Sequence, residues 1–186
     1  MLAGMVMIGG LLGVTFLPHT ASNSLVRHGA LYAMGFGQGW ISAPLVTMMF
    51  ALEPSTLLMA LAATVLIFGS FTMSAFYSPR RQYVYLGGLL GMLTSLLMIT
   101  GISNVFFQSS SLMSFELYMG LALFSFYILY DTQMIVERSE AGSRDPVLHA
   151  VTLFTDLAAI FIRILAIFAR NNDNNGRNRD RRGKRK

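Results

Sequence analysis

The chain has 186 residues, of which 54% are hydrophobic, and a mean hydropathy of +0.55, too apolar for an ordinary soluble domain. It has no cysteine, and its three histidines, His19, His28 and His149, stand far apart, so disulfides, thiolate sites and a zinc centre drop out and neither metal nor cofactor is expected. The net charge of +5 belongs to the C-terminus: residues 1–169 carry six basic and seven acidic side chains (net −1), and residues 170–186 carry eight and two (net +6).

The pattern predicts an all-α, polytopic membrane bundle with six candidate segments. Residues 1–17 are apolar from the first methionine with no basic leader, so they read as a membrane segment, at the short limit for a core of about 30 Å, rather than a signal peptide. A turn around Pro18 leads to a second segment at 29–52, in which Gly29, Gly35, Gly37 and Gly39 permit close helix approach and Pro44 predicts a kink. Glu53-Pro54-Ser55 makes a tight turn into a third segment, 55–77, where Ser70 and Ser74 suit a helix interface, and Ser78-Pro79-Arg80-Arg81 ends it. The fourth, 83–102, begins with interfacial Tyr83 and Tyr85 and continues through Gly87, Gly88 and Gly91, a Gly-x-x-x-Gly spacing suited to packing within this chain or to dimerisation. An uncharged loop at 103–111 precedes the fifth segment, 112–136, and a charged loop at 137–148 precedes the sixth, 149–169.

The last two segments each enclose a carboxylate, Asp131 and Asp156, and an ionisable residue inside a membrane span marks a functional site by default. Counted inward from the charged loop, both lie roughly 8–12 Å deep on adjacent helices, so they can meet. His149, Thr152, Asp156 and Arg163 recur on one stripe of the last helix. A plain charge-neutralising pair of Asp156 with Arg163 is the competing reading, but seven residues put them about 10 Å apart along the helix. Glu116, near the start of the fifth segment, either faces water at the membrane surface or joins an ion path.

Basic residues in alternate loops, Arg27, Arg80, Arg81, Arg138 and Arg144, assign that side to the cytosol. A full crossing by 149–169 would then put the basic tail on the other side, against the same rule, so this segment either re-enters or is held across by its polar face. The charge of the tail favours re-entry and a cytosolic C-terminus. Residues 170–186 are polar, low in complexity and expected to be disordered. Anionic lipid or acidic proteins are its expected partners, and nucleic acid is not, because no aromatics interleave the charges.

FYILYDTQMIVE followed by HAVTLFTDLAAIFIRIL resembles the signature of the Bax inhibitor-1 family, the transmembrane Bax inhibitor motif family. EPSTLLMALAATVLIFGSFTMSAFYSPRRQYVYLGG, SNVFF and FELYMGL agree with it, so the resemblance covers nearly the whole chain outside the start and the tail, and is greatest to the eukaryotic endoplasmic-reticulum branch. It implies seven membrane helices and a cytosolic leader, against which this chain looks truncated at its N-terminus or started internally. It also implies a multi-pass reticulum protein that leaks Ca²⁺ in response to acid, with Asp131 and Asp156 as pH sensor, and an early basic partner for which Arg27 is the candidate; Arg163 and His149 are the other possible latch partners.

Three functions compete. The first is the pH-sensitive Ca²⁺ leak that suppresses programmed cell death: two carboxylates close together in low dielectric cannot both ionise cheaply, which makes a proton-operated latch. The second is an anti-apoptotic regulator that acts by binding membrane proteins of the death pathway, with the basic tail as its contact. The third, an intramembrane aspartyl protease, lacks the Gly-x-Gly-Asp and Pro-Ala-Leu elements of presenilin-like enzymes, since Leu153-Phe154-Thr155 precedes Asp156. No enzymatic activity is expected.

Overall fold

The computed structural model describes residues 2–79, 83–142 and 145–183, with Ala21 and residues 174–183 described by backbone alone. Among them there are helices and no strand: α1 (Leu2–Phe16), a 3₁₀ turn (Ala21–Asn23), α2 (Ser24–Leu52), α3 (Pro54–Tyr77), α4 (Leu86–Phe107), α5 (Ser110–Glu140) and α6 (Pro146–Gly183). All six expected segments are helical. Three long helices, α3, α4 and α5, together with Pro146–Asp173 of α6, are long and apolar enough to cross a membrane. α1, at 15 residues, rises about 22 Å, short of a bilayer core of about 30 Å. α2 has the length, 29 residues, but Arg27, His28 and Gln38 reduce its apolarity.

Several boundaries move, for local reasons. The loop expected at 103–111 shrinks to Gln108–Ser109, because Ser103 Oγ bonds back to Ile99 O (2.8 Å) and Gln108, at φ 45°, closes α4 with its N–H on Asn104 O (2.9 Å). The charged loop shortens to 141–145: Glu137, Arg138 and Glu140 complete the last turn of α5, and Pro146 opens α6, where its missing N–H costs nothing. α2 runs unbroken through Pro44. α6 continues as helix to Gly183, beyond the boundary at 169 where a disordered tail was expected, and no proline interrupts that stretch.

α5 and α6 form the central antiparallel pair. α5 also packs on α3 and α4, and α6 on α3, α2 and α1. The main core is Met49 of α2, Ala60 of α3, Ile128 of α5 and Ile160, Ile164 and Leu165 of α6. A second cluster, Val14, Met34, Val147 and Val151, ties α1 and α2 to the start of α6. Large apolar side chains such as Leu66, Met98 and Phe106 point outward, the inverse of a water-soluble bundle and suited to lipid as solvent.

Glycine packing is local. A Cβ on Gly10 would stand 2.5 Å from Ala30 O, and one on Gly37 2.7 Å from Met7 N, so these two glycines set the close crossing of α1 and α2. Gly29, Gly39, Gly88 and Gly91 face open space, so the Gly-x-x-x-Gly of α4 acts through Gly87 alone, which lies under the Tyr130 ring. Ser70 and Ser74 are exposed rather than at an interface.

Arg80, Arg81 and Arg144, three of the basic residues assigned to the cytosolic side, lie outside the described residues. Arg27 and Arg138 do lie at one end of the bundle, near the start of α2 and in the last turn of α5. α6 runs unbroken through 149–169, and Arg170 reaches Ser110 at the opposite end of α5 (2.7 Å to O and to Oγ), so the segment has the length and course of a full crossing.

Candidate functional site

Asp131 arrives on α5 nine residues before Glu140, and Asp156 on α6 ten residues after Pro146, so antiparallel packing brings them level. Their carboxyl groups face each other across the α5–α6 seam, close enough to interact. A hydrogen bond between two carboxyls needs a proton on one of them. Asp156 is 4% exposed, and its Oδ2 is buried with no partner; the adjacent Thr132 Oγ1 is likewise buried and unpaired. The pair is therefore buried on the Asp156 side and half-buried on the Asp131 side, under-satisfied at Asp156, and able to accept a further hydrogen bond or proton.

The basic residues offered as partners for this pair are placed elsewhere. Arg27, 1% exposed, spans three groups: Nη2 donates to Asp145 Oδ2 (2.5 Å) and to Val14 O (3.0 Å), and Nη1 lies 3.0 Å from His19 Nδ1. Asp145 in turn accepts the Leu148 N–H on Oδ1 (3.1 Å), capping the helix that carries Asp156. Burial raises the Asp145 carboxyl, but the Arg27 and Leu148 hydrogen bonds and the Arg27 charge outweigh it and hold the group below the usual carboxylate range.

Arg163 lies past the aspartates toward the other end. Its Nη1 donates to Ala159 O (3.1 Å), its guanidinium stacks 4.2 Å over the Phe124 ring, and it lies against Gly120, where any Cβ would displace it. The acid whose charge acts on it is Glu116 and not Asp156. Glu116 is half-buried, with its carboxylate against Gly101 of α4, rather than out in water. The His149 ring is half-buried and has no hydrogen-bond partner among the described residues.

Two features escaped the sequence. Asp145 looked like one more loop charge, and nothing in spacing linked it to Arg27. Gln133 is buried and clamps the α3–α4 connection, accepting the Tyr83 N–H (2.7 Å) and donating to Pro79 O (3.2 Å). A third was legible: His149, Asp156, Arg163 and Arg170 recur every seven residues on α6, so Arg170 belongs to the polar stripe and not to a separate tail.

A helical bundle with membrane-length apolar helices and a buried carboxyl pair on its central seam defines a polytopic membrane protein. Residues 1–173 match the family model described as "Inhibitor of apoptosis-promoting Bax1", and the chain belongs to that family. It is 36% identical to Bax inhibitor 1 of Bos taurus over 164 residues, 88% of this chain and 70% of the relative. Against Bax inhibitor 1 of Homo sapiens it is 38% identical over 154 residues (83% and 65%), and against that of Arabidopsis thaliana 40% over 146 residues (78% and 59%). The matched region thus spans 59–70% of these three relatives.

Proposed function

We propose that this protein is a pH-sensitive cation leak, chiefly for Ca²⁺, in the endoplasmic reticulum membrane, and that it suppresses programmed cell death by that route. The observation that carries this reading is that the Asp131 and Asp156 carboxyls face each other across the seam of the two central helices, where one shared proton would join them in a hydrogen bond. With one proton shared, the pair is a charge-assisted hydrogen bond, roughly twice as strong as a neutral one. A second proton turns it into a neutral contact, the seam weakens, and α5 and α6 separate enough to pass a cation. Glu116, half-buried toward the far end of the same helix, is the next oxygen ligand along that route. The suppression of cell death is supported by the family description and by the names of the relatives.

Those names describe inhibition of another protein, which favours a second reading: regulation by binding membrane proteins of the death pathway through the basic C-terminus. The two separate in one experiment. Full-length protein with Asp131→Asn is assayed for Ca²⁺ flux from liposomes and for protection of cells against a death stimulus. Altered flux with protection intact would leave binding as the function; joint loss of pH control and protection supports the leak.

A further inference from the structure

At the end of the bundle away from Asp145 lies an open cavity of about 940 Å³, bordered by the closing turns of α2 and α4, the start of α5 and the α6 stretch around Arg170. This is in the range of pockets that take small organic molecules. Leu45, Met48 and Leu117 line it, reaching up to seven residues below the ends of their helices, about 10 Å. Its charged lining residues are Arg170 and Asp173. Asp173 already has an interaction of its own. Arg170 uses Nη2 on Ser110, while its Nη1 is buried with no partner. The start of α5 adds open backbone N–H groups, because Ser109 makes no side-chain cap there.

We propose that this cavity binds one anionic phospholipid, with its phosphate on Arg170 Nη1 and the start of α5 and an acyl chain along Leu45, Met48 and Leu117. A half-buried guanidinium whose Nη1 is shut away from water with its donors unmade calls for an anion. The apolar depth calls for a hydrocarbon chain on that anion, which a free phosphate lacks. The mouth lies level with the helix ends, where lipid headgroups are found. No uncommitted carboxylate lines the cavity to hold a choline, so the headgroup carries net negative charge. Residues 174–186, with seven basic side chains and one acidic, add a general attraction for the same surface.

The full-length protein in detergent is mixed with equimolar phosphatidylserine and phosphatidylcholine, and the lipid it retains is counted by native mass spectrometry. One phosphatidylserine should be retained in preference, and inorganic phosphate should not displace it. Arg170→Gln should lower that retention about tenfold. Met48→Trp, at a side chain already 47% exposed, should fill the cavity and lower retention without touching any charge. Equal retention of the two lipids, displacement by inorganic phosphate, or unchanged retention in Met48→Trp would each overturn the proposal, the last by assigning the lipid to the basic C-terminus.

Discussion

Arg27 of α2 and Asp145 at the head of α6, 118 positions apart in the chain, are joined by a 2.5 Å hydrogen bond between oppositely charged groups. That bond fixes the end of the helix that carries Asp156, and it commits the guanidinium that the sequence offered to the aspartate pair.

Asp145→Asn keeps an acceptor for the Leu148 N–H but leaves Arg27 buried without a counter-charge, so it should cost about 3 kcal/mol. The sign of the pH dependence follows from the lowered Asp145 carboxyl. The unfolded chain takes up this proton first as pH falls, so the stabilisation is complete above the ordinary carboxylate value of about 4 and drains away below it. Thermal unfolding of the full chain in detergent should show a wide gap between wild type and variant at pH 7 that closes toward pH 3. A gap of equal width at both would show that the ion pair contributes nothing.

Gly10→Ala places a methyl group against backbone atoms of Ala30 and Met34. Overpacking of this kind costs about 1–3 kcal/mol. Gly39→Ala meets open space and should be neutral or gain up to about 1 kcal/mol from helix propensity. Equal melting temperatures for the two variants would remove the glycine crossing as the reason α1 and α2 approach so closely.

Gln133→Leu removes both hydrogen bonds that hold the α3–α4 connection. The Tyr83 amide, freed from Gln133 Oε1, should exchange with solvent at least about tenfold faster, the equivalent of losing roughly 1.4 kcal/mol of protection. Exchange of Leu90 in the middle of α4 serves as the internal control and should not change. Equal acceleration at both positions would mean that the substitution unfolded the region rather than released a clamp.

The helices were legible because hydrophobic runs bounded by Pro, Gly and charge encode membrane segments directly, and depth counted from the loop brought Asp131 level with Asp156. What sequence could not supply was the partner of each charge. Arg27 has one helical address but can reach any of several acids, and packing of Val14 and Met34 against Val147 and Val151 decides in favour of Asp145. Arg163 likewise had Asp156 on its own face, yet Gly120 on α5 opens a space beside Phe124 that takes the guanidinium the other way. The end of α4 moved where Ser103 bonded back to its own helix and the Gln108 N–H closed on the Asn104 carbonyl, an effect hidden by a composition that reads as loop.

The most direct test is Ca²⁺ efflux from liposomes holding the full chain, followed from pH 8 to pH 5 for wild type, Asp131→Asn, Asp156→Asn and the double variant. Flux through the wild type should rise as pH falls, each single variant should flatten that response, and the double variant should add little, because both side chains belong to one facing pair. Unaltered pH dependence in both single variants would contradict the account and leave Asp131 and Asp156 as structural groups only.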